Sequence, residues 1–397
     1  MTISSTADFE SLQTLIEQEG VDAALELLEK IFRRDKKYHE LFEVLKMKLR
    51  HKLGVPLLDS DLGNQWDRGD PSDAQQREQY EDGLVEACRD VGLALLGAGQ
   101  IREAWMYLRP VSDQSELVRH LAKAPVNDDN RDEVIEVALH EGIDVARGYR
   151  LVLDHYGTCN AITTFQNFSH GPNARDVQKP AAMLVEHVYS ELLQSVRSHI
   201  EREEGTLPAE ENLSRLIRDR VWLFGELSYH LDPSHLSSTV QSARYLQDPR
   251  YLRFAVEMAE YGEKLHEQFQ YPGEEPFVEL YPSHRLYFQA LLGENQEGAV
   301  NYFRDRARNL DAYQQGSQAA EVYIDLLARI SRPAEAITAT IELIPDNVHT
   351  TGLAPDLLEL AQRSGKYEQV LDVYRRRENL LGFASGLLQS ATQEKSN

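Results

Sequence analysis

The chain has 397 residues and a formal net charge of −23; 42% of its residues are hydrophobic and 27% are charged. These proportions are ordinary for folded proteins and argue against disorder throughout the chain. Because nucleic-acid-binding proteins usually carry an excess of Lys and Arg, the acidic balance argues against a nucleic-acid partner.

The length exceeds the roughly 250–300 residues that one hydrophobic core organises, so we expect several globular units or one elongated array. No stretch approaches about 18 consecutive apolar residues, which predicts that the chain has no membrane-spanning helix and no membrane partner. Residues 1–9 lack the charged-then-apolar pattern of a secretory signal. Two cysteines, Cys88 and Cys159, are too few for a disulfide framework. We therefore expect a cytoplasmic protein.

The N-terminal part, residues 1–53, is predicted to form one or more helical hairpins. Leu12, Leu15 and Ile16 begin an apolar stripe at helical spacing. The segment from Lys30 to Lys52 is basic, with nine Lys and Arg residues against three acidic ones. We interpret it either as a solvated helix face or as a surface that docks an acidic partner, such as the acidic remainder of a second copy.

Turn-forming residues separate this part from the next. Pro56, Gly63 and Gly69 are typical of a long loop, which we predict over 54–79. Helical repeats are predicted over 80–165, where residues 84–95 place apolar side chains along one helix face. Cys88 lies on that apolar stripe, which indicates a small core residue rather than a reactive thiol.

The middle of the chain, 166–284, is predicted to be irregular and helical with long loops. Asp232-Pro233 and Asp248-Pro249 each predict a helix start, because an acidic N-cap precedes a proline whose missing N–H costs nothing there. The best strand-like run, 161–168, is short and isolated, and one strand cannot stand alone. The pattern therefore predicts an all-α fold.

One pattern recurs along the chain: a small residue follows a turn and precedes a bulkier residue by four positions. In two antiparallel helices, the small residue lets the second helix cross the first closely, and the bulkier residue fills the groove one turn later. The five small-and-bulky pairs are Ala24 and Leu28, Ala104 and Leu108, Ala299 and Phe303, Ala336 and Thr340, and Val370 and Tyr374.

The last three small positions are 37 and 34 residues apart, close to the period of about 34 residues of tetratricopeptide units. On these residues the chain resembles the tetratricopeptide family, most clearly over about 285–385, and we predict such repeats over 285–388. Val370 departs from the family's alanine. The resemblance implies an α-solenoid of stacked helix-turn-helix repeats whose concave side binds a peptide or protein. Residues 389–397 are predicted to be a flexible tail.

Two arrangements in the histidine-rich middle have the ligand types that Zn²⁺ or another divalent metal takes. His155 and Cys159 are four residues apart, and would share a face of a continuous helix. Glu226 and His230 have the same spacing, and His235 follows. The structural alternative is that Gly157 ends a helix between the first pair, and that Asp232 serves only as an N-cap beside the second. No cofactor is required under that alternative.

A tyrosine-rich and arginine-rich stretch, 245–287, offers candidates for a ligand groove. Tyr and Arg are favoured at the centres of interfaces, and Arg would attract an acidic or peptide ligand. The candidates are Tyr245, Arg250, Arg253, Tyr281 and Arg285. Packing between helices is the alternative role for the tyrosines.

Three hypotheses for function follow. The first is a helical-repeat interaction protein that binds a peptide or protein in a concave groove. The second is a metal-dependent enzyme, of the hydrolase type, with its site in the middle segment; no GxGxxG, GxxxxGK[ST] or GxSxG motif supports a catalytic alternative. The third is a scaffold that assembles with copies of itself into a homo-oligomer, in which charge-mediated association through the basic Lys30–Lys52 segment should weaken with salt.

Overall fold

The computed structural model describes residues 6–57, 71–169, 177–225, 227–346 and 348–394. Within these ranges the regular structure consists of twenty α-helices with short 3₁₀ and π turns and no β-strand, which confirms the all-α prediction for this part. None of the helices in the described ranges is long and apolar enough to cross a membrane. The chain divides into two compact units, residues 1–155 and 156–397.

The first unit is built from helices that pack mainly on their neighbours along the chain. Its core lies among α3 to α7, around fully buried residues such as Leu41, Val91 and Leu121. The helices are α1 (Thr6–Glu19), α2 (Val21–Arg34), α3 (Tyr38–Leu53), α4 (Pro71–Gly97), α5 (Ile101–Leu108), α6 (Ser115–Lys123) and α7 (Arg131–Ile135), and the long α8 (Val145–Ser169) crosses the division between the units.

The second unit continues with an irregular bundle and then a run of consecutive hairpins. The bundle contains α9 (Gln178–Glu204), α10 (Leu213–Arg218), α11 (Pro233–Ser242) and α12 (Pro249–Glu263). The run contains α13 (Leu280–Leu291), α14 (Gln296–Asn309), α15 (Ala312–Gln315), α16 (Gln318–Arg329), α17 (Pro333–Leu343), α18 (Leu357–Ser364), α19 (Tyr367–Arg376) and α20 (Leu380–Glu394). From α13 onward, apart from the short α15, each helix packs against the next.

The five predicted small residues occupy the same place in five hairpins. Each is the fourth residue of the second helix of its pair: Ala24 in α2, Ala104 in α5, Ala299 in α14, Ala336 in α17 and Val370 in α19. The side chains of all five are buried. A small residue at this position is therefore what allows each pair of helices to approach closely.

The turns within these hairpins share a left-handed residue. Gly20, Gly99 and Gly365 have φ of 90°, 80° and 71°, a region that suits glycine because it lacks a Cβ. The α16–α17 turn uses Ser331 at φ 64°, and the α13–α14 turn uses both Gly293 and Asn295. The α16–α17 turn therefore carries a strain that the turns with glycine alone at this position do not.

Three predicted boundaries need correction. The predicted loop 54–79 is too long, because α4 already begins at Pro71. Residues 74–79 of α4 are mostly exposed, and Arg77 Nε lies 2.9 Å from Glu81 Oε1, one turn on. Residues 58–70 of that loop lie outside the described residues. The predicted division at 165/166 falls inside α8, which includes the strand-like run 161–168.

The C-terminal boundary moves for a similar reason. The helix α20 continues to Glu394, past the predicted start of the tail at residue 389. The Tyr367 hydroxyl donates to Gln393 Oε1 at 2.9 Å, and Gln393 Nε2 donates to the Gln362 carbonyl at 3.5 Å. Polar side chains that resemble a tail in sequence thus bond α20 to the preceding hairpin. Residues 395–397 lie outside the described residues.

A buried carboxylate holds the long connection between α17 and α18 in place. Glu321 of α16 is 1% exposed. Its oxygens accept hydrogen bonds from the Ser317 and Thr351 hydroxyls at 2.6 and 2.9 Å, and from the backbone N–H groups of Thr351 and Leu353 at 2.8 and 3.0 Å. These bonds satisfy the charge and fix the connection that positions the last three helices.

Candidate functional site

The tyrosines of the predicted ligand groove serve in packing. Tyr281 of α13 is 1% exposed and lies against Gly262 of α12, where an added Cβ would meet its ring at 2.4 Å. Tyr245 is half-buried, and its ring centroid is 5.7 Å from that of Phe165. The prediction that Tyr281 lines a groove is therefore wrong, because its ring fills the close contact between two helices.

The arginines of the predicted groove lie at the surface, and two of them are paired. Arg250 donates to Glu186 Oε1 at 2.7 Å, and its guanidinium lies 5.3 Å from the centre of the Tyr251 ring. The Nε atom of Arg285 is 2.7 Å from Glu263 Oε1. Arg253 is exposed on α12. Arg250 and Arg285 already form ion pairs with Glu186 and Glu263, so their positive charges attract an acidic ligand less strongly.

The first predicted metal pair lacks the helical geometry that it required. Gly157, between His155 and Cys159, has φ 78° and ψ 175°, which interrupts the helical backbone of α8. Both side chains are exposed. In the described ranges no three His, Cys, Asp or Glu side chains are grouped so that they could hold a metal ion.

The second predicted metal set is Glu226, His230 and His235, which ends in the first turn of α11. Glu226 lies outside the described residues. Asp232 accepts a hydrogen bond from the Ser234 backbone N–H at 2.8 Å, so it is the N-cap of α11, as Asp248 is of α12; both predicted helix starts are confirmed. His235 is half-buried in the first turn of α11.

His230 belongs to a hydrogen-bonded chain that sequence reasoning missed. Its Nδ1 lies 2.8 Å from the Tyr261 hydroxyl, and its Nε2 lies 2.7 Å from Nδ1 of His199. The backbone N–H of His230 donates to the same hydroxyl at 2.9 Å. Both ring nitrogens of His230 are satisfied when Tyr261 donates to Nδ1 and Nε2–H donates to His199. Burial, with the neighbouring His199 and Arg202, lowers the pKa of His230 to about 4.

This chain of three side chains is suited to holding a segment in place. His199 lies on α9 and Tyr261 on α12, so His230 ties the irregular segment after α10 to two helices of the bundle. The only sequence signal was the abundance of histidine in this region. The 31-residue separations of His230 from each partner hid the contacts.

Part of the basic Lys30–Lys52 segment is paired with acidic side chains nearby. Arg33 bonds to Glu29 and Asp90, with 2.9 Å between Nη2 and Glu29 Oε1. Lys48 Nζ donates to the other oxygen of Glu29 at 2.7 Å, and Lys46 Nζ lies 2.7 Å from Glu43. These pairs reduce the positive surface available to an acidic partner.

The most distinctive surface of the described chain is the outward face of α20. Four leucines stand in solvent there: Leu380 and Leu381 are each 79% exposed, Leu388 is 71% exposed and Leu387 is 52% exposed. We name these four residues the leucine face. Contiguous exposed apolar surface of this kind marks interaction sites in soluble proteins.

The inward face of the same helix has the opposite character. Gly382 lies against Tyr374, where an added Cβ would be 2.6 Å from Cδ1 of that ring. Gly386 is buried against Leu371 and Leu358 of the preceding helices. Small residues therefore bring α20 close to its hairpin while its leucines point away, the reverse of an ordinary amphipathic surface helix.

A groove of about 340 Å³ lies at the start of α20, beside the leucine face. Aromatic rings and a guanidinium contribute to its walls, and the Arg375 guanidinium lies 5.0 Å from the centre of the Phe383 ring. Its lining residues are Tyr374, Arg375, Glu378, Asn379, Leu380 and Phe383. Of these, Tyr374 and Arg375 are of the types favoured at interface centres.

No protein-family model, curated protein or solved structure matches this chain. The described fold defines an all-α protein whose neighbouring helices pack on one another. A fold of this kind serves many activities, so its function must be argued from the surface that it presents.

Proposed function

We propose that this protein is an interaction scaffold whose hairpin stack presents the leucine face of α20 to a protein partner. The observation that carries the proposal is the reversed polarity of α20, with glycines inside and leucines outside. Burying an exposed leucine side chain stabilises a contact by roughly 1.5–3 kcal/mol. A partner that covered all four leucines of the leucine face would be stabilised by several such contributions.

The hairpins support this proposal because they would hold α20 in position. Equivalent small residues in five helix pairs are the feature by which the chain resembles tetratricopeptide repeats, and we propose that residues 285–388 stack in that manner. In such arrays each repeat contacts only its neighbours, so the last helix keeps one face for a partner. The groove beside Phe383 would take one anchoring side chain of the partner, since anchors enter pockets at interface centres.

The test is the double substitution Leu381→Glu with Leu388→Glu in the tagged full-length chain. Two charges on the leucine face would have to lose their water on binding, so we expect at least about a tenfold loss of affinity. The measurement is quantitative recovery of the bound protein, whether a different protein or an untagged copy.

Met106→Glu is the matched control, because Met106 is also well exposed, at 68%, but belongs to α5 of the first unit rather than to α20. It introduces the same charge and should leave recovery unchanged. Equal recovery with the wild type, the control and the double variant would refute the proposal.

A further inference from the structure

We infer that the partner of the leucine face is the α20 helix of a second copy, paired antiparallel about a twofold axis. This inference rests on the proposed function and names its partner. A twofold contact joins the same surface of two copies, so the surface must be complementary to itself. Three properties of α20 meet that requirement: its period, its pattern of side-chain volumes and its charge.

The period of α20 is that of paired helices. Residues 380–386 read Leu-Leu-Gly-Phe-Ala-Ser-Gly, and residues 387–393 read Leu-Leu-Gln-Ser-Ala-Thr-Gln. The motif Leu-Leu-x-x-Ala thus repeats after seven residues. A seven-residue apolar repeat keeps one seam facing a neighbouring helix. In the described part of the chain, Leu380, Leu387 and Ala391 of this seam are exposed and Ala384 is half-buried. The occupant that this period fits is a helix.

The volumes along the seam favour an antiparallel partner. Large and small residues alternate, with Leu380 and Leu387 separated by Ala384 and followed by Ala391. In an antiparallel pair each leucine lies opposite an alanine of the other copy, whereas a parallel pair would place alanine opposite alanine and leave voids. Well-packed interfaces alternate large with small residues across the contact.

The charge on α20 favours a second copy over a charged partner. No ionisable side chain occurs from Leu380 to Gln393, although 27% of the whole chain is charged. A neutral seam neither repels an identical seam nor selects a charged one. The remainder of each copy carries the net charge of −23, and salt screens repulsion between like surfaces. Salt should therefore strengthen this dimer, whereas it would weaken association through the basic Lys30–Lys52 segment.

The decisive measurement is mass by light scattering and sedimentation of the full-length chain, at about 50 mM and about 500 mM salt. We expect the wild type and Met106→Glu to reach twice the monomer mass of 45.3 kDa, more completely at the higher salt. Leu380→Glu with Leu387→Glu should raise the dissociation constant at least about a hundredfold. Circular dichroism checks that this variant keeps its helices, which we expect because both leucines are exposed.

Cysteine cross-linking tests the orientation in a background of Cys88→Ala and Cys159→Ser. In the antiparallel pair, Leu380 lies opposite Ala391 and Ala384 opposite Leu387 of the other copy. The two copies of residue 384 are then about 4.5 Å apart along the helix axis, and the two copies of residue 391 about 16 Å apart. Ala384→Cys should therefore cross-link two copies and Ala391→Cys should not. Equal cross-linking at both positions would overturn the antiparallel arrangement.

The outcomes separate this inference from the proposed function. A wild type that stays monomeric to about 100 μM overturns self-pairing. If Leu381→Glu with Leu388→Glu then weakens binding of a different protein, the proposed function stands. A dimer that resists Leu380→Glu with Leu387→Glu, or that weakens with salt, also overturns self-pairing. If the double variants bind a second copy and any other protein as well as the wild type does, both the inference and the proposed function are refuted.

Discussion

The ring of His230 is kept neutral by its surroundings, since both of its nitrogens are engaged and burial lowers its pKa to about 4. An imidazole in the unfolded chain titrates near 6.5. The unfolded state therefore binds more protons than the folded state between these two values. The contribution of His230 to stability is complete above about pH 6.5 and declines as the pH falls towards 4.

We predict that replacing His230 with Gln reduces the acid sensitivity of the second unit. Between pH 7 and pH 4.5 the wild type should lose about 1–2 kcal/mol more stability than His230→Gln, an amount already reduced for the partial exposure of the ring. Urea unfolding at the two pH values measures the difference. His155→Gln, which changes an exposed imidazole, should follow the wild type. A His230→Gln variant with the wild-type pH dependence would contradict the assignment.

Residue roles could be predicted from the sequence where the cause was local. Asp232 and Asp248 were identified as N-caps because the cap and the proline are adjacent in the chain. His199, Tyr261 and His230 could not be connected, because their contacts arise from the packing of three elements. Tyr281 was misassigned for the same reason: only the approach of Gly262 shows that the ring is enclosed.

At the scale of the elements, the α16–α17 and α18–α19 turns differ in the residue at their left-handed position. Ser331 occupies the left-handed position that Gly365 occupies in the next hairpin, with φ of 64° and 71°. A side chain with a Cβ pays roughly 1–2 kcal/mol for this conformation. Part of that cost is offset because glycine loses more backbone freedom on folding.

We predict that Ser331→Gly stabilises the second unit by about 0.5–1 kcal/mol, and that the reverse change, Gly365→Ser, destabilises it by about the same amount. Ser331 is exposed, so the substitution removes no packing. Urea denaturation at pH 7 measures both changes. The strain argument fails if the two substitutions shift stability in the same direction.

The hairpins themselves were predictable because each is specified within about thirty residues, by a turn, a small residue and a bulkier one. The seven-residue repeat of α20 is also present in the sequence. The sequence does not show that this repeat faces outward, because the inward face depends on contacts of Gly382 and Gly386 with side chains of the preceding helices. Polar residues at the C-terminus were interpreted as a tail for the same reason.

At the scale of the whole molecule, pairing through α20 would link folding to association. A dimer that forms only from folded chains gains stability as the protein becomes more concentrated, by mass action. The unfolding temperature is then a property of the sample as well as of the sequence.

We predict that a tenfold increase in protein concentration raises the unfolding temperature of the wild type by about 1–3 °C. Leu380→Glu with Leu387→Glu should unfold at a temperature that does not depend on concentration, because it remains monomeric. Differential scanning calorimetry over a hundredfold range of concentration measures both. A wild type whose transition does not move with concentration would contradict the linkage.

The serial packing of α13 to α20 has a mechanical consequence. Because each helix from α13 onward, apart from the short α15, packs against the next, a pulling force applied between residues 280 and 394 would pass from helix to helix in succession. The helix at the end of this series, α20, should detach first. Clamping α20 against a second copy, as we propose, would raise the force at which the series begins to unfold.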